Sequence, residues 1–118
     1  MDDSHGIPRD VLDRIGDRWS IAIMRALQHH GDLRFGQLQR HLGGISKKVL
    51  TESLRTVERD GMVTRTVYDE VPVRVVYAAT PLGLSSLEPI DVLVEWSHRH
   101  LAEVERARLA YDEAHDQR

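Results

Sequence analysis

Two consecutive glycines, Gly43-Gly44, stand between two short helical patterns, and that interruption limits what the chain can fold into. Ahead of them, Phe35, Leu38 and Leu42 fall at i, i+3 and i+7, the spacing of a two-turn amphipathic helix. Behind them, Ser46 offers an N-cap hydroxyl to a helix expected to run to Asp60 and stop at Gly61. The inward stripe of that helix is Leu50, Leu54 and Val57. Lys48, Glu52, Arg55 and Arg59 fall on the opposite side, with Lys47 and Thr51 flanking its first turns. Paired glycines provide the tight turn that two such helices need between them.

The rest of the chain frames this pair. Val11, Leu12 and Ile15 mark a short first helix that ends at Gly16. From Arg18 to His30, Trp19, Ala22, Ile23, Ala26 and Leu27 keep helical spacing, with Ile21 and Met24 widening the stripe. A helix apolar on most sides is expected at the centre of its domain. After Gly61 the period changes. Met62 to Tyr68 and Val73 to Thr80 are rich in Val, Thr and Tyr, and Asp69-Glu70-Val71-Pro72 separates them, which reads as a hairpin. Thr80-Pro81 then restarts a helix, Thr as N-cap and Pro in the first turn. Pro89 is expected to kink that helix or split it, and the polar end, Tyr111 to Arg118, to fray. Ile90, Val94, Leu101 and Val104 form a late apolar stripe with little core left to cover. The expectation is that it packs with Val11 and Ile15 on a second copy of the chain.

Helix, helix, extended piece, helix, glycine turn, helix, hairpin is the order of a winged helix-turn-helix. The fold class is therefore mainly α with a small β-hairpin (α+β), its first and C-terminal helices forming a dimer interface. One domain over residues 1–118 is expected, with motif helices at about 35–42 and 46–60, a wing at about 62–80 and C-terminal dimerisation helices at about 81–112. In this motif the N-terminal residues of the second helix reach base edges in the major groove. Ser46, Lys47, Lys48, Thr51, Glu52, Arg55 and Arg59 are the corresponding candidates here. Lys and Arg donate to guanine or phosphate, and Glu52 could accept from cytosine. Arg74, beyond Pro72 on the hairpin, could meet a phosphate or the minor-groove edge, and Arg34 could touch the DNA backbone.

Charge distribution points the same way. The net charge is −3, yet residues 34–76 carry eight Lys or Arg against five acids, between two acidic flanks. Only a docking face has to meet phosphates. With no cysteine, disulfides, thiolate nucleophiles and cysteine-held zinc are excluded. No apolar run approaches the length of a membrane span, and the start, Met1-Asp2-Asp3-Ser4-His5-Gly6, is acidic and does not read as a signal peptide. A cytoplasmic protein is expected, with no membrane partner. Seven histidines raise the question of a metal, but His98 and His100 stand about 200° apart on a helix and cannot chelate from one face. No Ser-His-Asp set or carboxylate pair is visible. We therefore expect no cofactor, no metal and no catalysis.

Several runs resemble the HxlR-type winged-helix regulators. Ile15-Gly16-Asp17-Arg18-Trp19-Ser20-Ile21-Ala22-Ile23-Met24 is similar to that family's IGGKWTLLIL stretch. Arg34-Phe35-Gly36-Gln37-Leu38, the run from Gly44 to Arg55, and Asp60-Gly61-Met62-Val63 agree with it in order and spacing. The wing from Tyr68 to Tyr77 resembles YxEVPPRVEY, and Thr80-Pro81-Leu82-Gly83 resembles TPLG. The resemblance covers roughly residues 7–100. It implies a bacterial, homodimeric transcription regulator that binds pseudo-palindromic double-stranded DNA. Three positions depart from the pattern. Ile7-Pro8 stands where redox-sensing members carry Cys-Pro, Val76 where a wing glutamate is usual, and Val73 where a second wing proline is usual. Thiol sensing is thereby excluded. Two other functions fit the same residues: a winged-helix module that docks an acidic protein, and a small binding protein responsive to an unidentified effector molecule.

Overall fold

The computed structural model describes residues 9–116, and the Ile7-Pro8 pair lies outside them. Six helices and one hairpin follow in the order α1 (Arg9–Ile15), α2 (Arg18–His30), α3 (Phe35–Leu42), α4 (Lys47–Arg59), β1 (Val63–Tyr68), β2 (Arg74–Ala79), α5 (Pro81–Ser85) and α6 (Leu87–Asp116). Packing divides the chain between Leu87 and Glu88 into two compact units.

In the first unit α2 is central, packing against α1, α3, α4, α5 and β2. Ile23, Met24 and Leu27 of α2 meet Leu38 and Leu42 of α3, Leu50, Leu54 and Val57 of α4, and Leu33, Met62, Val63, Tyr77 and Leu87 in one core. Asp17 starts α2, its carboxylate accepting from the N–H groups of Trp19 and Ser20, each at 3.1 Å. Gln37 Oε1 accepts from the Arg34 N–H at 2.9 Å and ties down the start of α3. Ser46 caps α4, its Oγ accepting from the Val49 N–H at 3.1 Å. Between α3 and α4 both Gly43 (φ 39°) and Gly44 (φ 84°) take positive φ, so the turn needs residues without a Cβ.

The hairpin is antiparallel, pairing Val63 with Ala79, Arg65 with Tyr77 and Tyr68 with Arg74. Leu33 exchanges two backbone hydrogen bonds with Tyr77, at 3.0 and 2.8 Å, on the other side of β2. β1 begins one residue late, at Val63, and ends at Tyr68 as expected, while β2 is one residue shorter at each end than expected; beyond β2 stands Thr80. Its N–H donates to the Met62 carbonyl at 3.0 Å, and its Oγ1 accepts from the Gly83 N–H at 3.0 Å to cap α5.

The second unit is the body of α6, whose 30 residues span about 45 Å. Two expectations meet the structure here. The helix that restarts at Thr80-Pro81 is split, but the break falls at Ser86, three residues ahead of Pro89, which sits in the first turn of α6, where an absent N–H costs nothing. The polar end is helical through Asp116, and residues 117–118 lie outside the described span. Ring stacking reinforces its last turns, Tyr111 against His115 at 3.8 Å between centroids.

At the joint of α2 and α3, His30 stacks on His41 with centroids 3.8 Å apart and meets His29 edge-on at 4.6 Å. These rings and Arg25 line one hollow. Partial desolvation, then the charges of His41 and His29, hold the His30 imidazole below its ordinary value. A histidine with a depressed folded-state pKa binds fewer protons folded than unfolded, so it lowers stability as pH falls below about 6.5. Thermal melts between pH 7.5 and 5 should show a shallower loss of stability for His30→Gln than for the wild type. Equal pH slopes would refute this origin.

Candidate nucleic-acid interface

The glycine turn and the Ser46 cap hold α4 with Leu50, Leu54 and Val57 buried, which turns its other side outward. Lys47, Lys48, Glu52, Arg55 and Arg59 are exposed, and Thr51 is half-buried at the edge of that face. Among the described residues none of the four cations, Lys47, Lys48, Arg55 and Arg59, has an ion-pair partner. Unpaired cations on a rigid helix suit an extended polyanion, because docking breaks no internal pair. The Ser46 oxygen is occupied by the cap, leaving the hydroxyl proton free to donate.

Between α4 and the hairpin lies a cleft of about 400 Å³ lined by Phe35, Thr51, Leu54, Arg55, Glu58, Arg65 and Tyr77. Arg65 is the cation that the sequence reasoning missed. It stands directly across from buried Tyr77, and so on the sheet face that turns towards α4. Strand alternation from the apolar Val63 could have placed it there.

Arg74, the wing cation offered for a phosphate or the minor-groove edge, is engaged within the wing itself. Its Nη2 donates to Glu70 Oε2 at 3.0 Å and its Nε to Glu70 Oε1 at 3.3 Å, while its guanidinium lies 3.9 Å from the centre of the Tyr68 ring. The Arg74 hydrogen bonds, with the charges of Arg74 and Arg34, hold the Glu70 carboxyl below its usual range despite some opposing desolvation. Glu70 in turn raises the Arg74 guanidinium. Arg34, exposed at the head of α3, thus contributes to the field at the wing tip.

The expected dimer residues divide. Val11, Val94 and Leu101 are exposed at 43%, 43% and 50%, and Val104 is half-buried. Ile15 is half-buried against the first unit's core, and Ile90 is buried. Neither Ile15 nor Ile90 leaves much apolar surface for a second copy. On α6, Val92, Leu93 and Trp96 are each more than half exposed. No helix among the described residues is long and apolar enough to cross a membrane.

Comparison with known proteins adds three likenesses and one family. The model of the HxlR-like helix-turn-helix family matches residues 14–105. The HTH-type transcriptional regulator YtfH of Escherichia coli (strain K12) is 41% identical over 96 residues, which are 81% of this chain and 75% of that protein. The structure of the transcriptional regulator ytfH from Salmonella typhimurium superposes with a TM-score of 0.71 at 37% identity, covering 89% of this chain and 94% of the other. The diamide-treated YodB structure from Bacillus subtilis gives 0.71 at 28% identity, covering 81% and 96%.

Proposed function

The chain belongs to the HxlR-like helix-turn-helix family, and on that premise we propose that it is a sequence-specific DNA-binding transcription regulator. In this proposal it acts in the cytoplasm as a homodimer on a pseudo-palindromic operator, has no catalytic role, and dimerises through helices over about 81–112. The observation that carries the reading is the outward face of α4. Lys47, Lys48, Arg55 and Arg59 point away from the core without internal partners, on a helix fixed by its cap and its buried stripe. A thiol switch forms no part of the proposal, because the sequence has no cysteine.

Reading and anchoring fall to different residues. Lys48, Thr51, Glu52 and Arg55 occupy the first turns of α4, where side chains reach base edges. Arg59, Arg65 and Arg34 lie farther along the surface and serve the phosphates. Titration of labelled genomic fragments against excess random duplex tests the proposal, with survival of a specific complex as the expected result. Arg34, Arg59 and Arg65 from two subunits neutralise about six phosphates, which gives a log–log salt slope near −5. Arg55→Ala or Lys48→Ala should cost roughly 1–3 kcal/mol on the cognate site and relax preference at particular base pairs. Arg65→Ala should instead weaken cognate and random DNA alike. A salt slope near zero, or a selected sequence unchanged in both α4 variants, would contradict this division.

A further inference from the structure

We propose that Glu70 is an internal phosphate mimic: its carboxylate occupies the guanidinium of Arg74 until a DNA phosphate displaces it. The inference rests on the DNA-binding reading and assigns that interface a built-in competitor.

Three observations converge at the wing. First, Nε and Nη2 of Arg74 each donate to a separate oxygen of Glu70, at 3.3 and 3.0 Å. This two-point fork is the geometry in which a guanidinium grips either a carboxylate or a phosphate. Glu70 therefore uses one edge of Arg74 that a phosphate would otherwise take. Second, Arg74 and Tyr68 are direct cross-strand partners, and the ring lies 3.9 Å beneath the guanidinium. The aromatic face holds the cation at this place on the wing whichever anion it pairs with. Third, both members are solvent-accessible, Arg74 at 32% and Glu70 at 50% of the side chain, so an incoming phosphate can reach them. The pair holds together two oppositely charged groups at the end of the hairpin. Without DNA the wing then offers no net charge from Arg74 to a passing polyanion, whereas the α4 cations remain uncompensated. Docking through α4 brings phosphates close, and only then does Arg74 exchange partners.

The exchange has an energetic signature. Arg74 gains a phosphate but gives up Glu70, so the wing contributes less affinity than an unpaired arginine would. Removing the charge of Glu70 should recover the difference. Releasing one counterion near 0.15 M salt is worth about fivefold in affinity. Glu70→Gln should accordingly tighten duplex binding by about fivefold per subunit and steepen the salt slope by about one per subunit.

The test is a thermodynamic cycle of Glu70→Gln and Arg74→Ala, read by fluorescence anisotropy on cognate and random duplex across a salt series. Asp69→Asn serves as control, removing an equal charge from the neighbouring exposed residue. The expected result is tighter binding in Glu70→Gln, no such gain when Arg74 is already Ala, and less than about a twofold change in Asp69→Asn. Unchanged or weaker binding in Glu70→Gln overturns the inference. So does a gain that persists without Arg74, because it would show plain repulsion between Glu70 and DNA. Duplex binding by the wild type alongside either of these results leaves the DNA reading intact, whereas a wild type that binds no duplex overturns both.

Discussion

Gly83→Ala is expected to destabilise the fold by about 3 kcal/mol and to lower Tm by about 10–15 °C, with little effect on the outward face of α4. Gly83 is buried in the short helix α5, directly against the chain entering β1. A Cβ there would overlap the Met62 carbonyl oxygen and lie 2.6 Å from Met24 Cε. The methionine end could swing aside. The carbonyl cannot, because it already accepts from the Thr80 N–H at 3.0 Å, and the Thr80 hydroxyl holds the adjoining Gly61 carbonyl at 2.7 Å. Relief therefore requires α5 to move off the hairpin, and Leu87 just beyond it would lose its place in the core. Gly36→Ala is the matched control. Its Cβ would meet only the end of Arg40, at 3.9 Å, in the first turn of α3, so it should be neutral or stabilise by up to about 1 kcal/mol. A Gly83→Ala melt within 2 °C of wild type, by calorimetry at one pH, would show that α5 slides freely over Met62.

That constraint shows where sequence reasoning reached and where it stopped. Element limits were legible because they are local: Ser46 and Thr80 cap the helices that follow them, and Gly31 and Gly61, at positive φ, close those before. The inward stripe of α4 follows from the helical period alone, and with it the outward set from Lys48 to Arg59. Gly83 belonged to a matched motif, but the reason for a glycine is a carbonyl 21 residues earlier, which no local pattern contains. The wing pair failed in the same way. Glu70 and Arg74 were both visible, yet their fork depends on how the turn folds back, and the Tyr68 contact depends on strand register. Arg65 was within reach of strand alternation, once Val63 was known to face inward. The pairing of His30 with His41 joins the ends of two helices and could not be read from either. Pro89 announced a break but not its place: a proline inside an apolar stripe looks the same in the interior of a helix as in its first turn, and only the break at Ser86 distinguishes the two.

Replacing Val94 and Leu101 together with Glu is expected to give a protein that sediments at the mass of one chain and binds its operator about 10²–10⁴-fold more weakly. The argument begins with what α6 leaves exposed. Val94 is 43% and Leu101 50% accessible, seven residues apart on one side of a helix about 45 Å long. Leu93, at 61%, widens that side. A surface of this kind favours a partner, and a self-complementary contact between two copies needs only the same helix twice. Two glutamates in such a contact would be four buried, unpaired carboxylates in the dimer, a cost that apolar packing does not offset. In the separate chain the same residues face water, and Glu is a good helix former, so helix content by circular dichroism should not change. The loss at the operator follows from linkage. A dimer that holds two copies of α4 makes the second half-site an intramolecular event, and a monomer must bind each half-site on its own. Single half-site duplex should therefore bind wild type and double variant with similar affinity, while the full palindrome separates them. A double variant that still sediments as a dimer would place the interface on other residues. A true monomer that binds the palindrome as tightly as wild type would remove dimerisation from the mechanism.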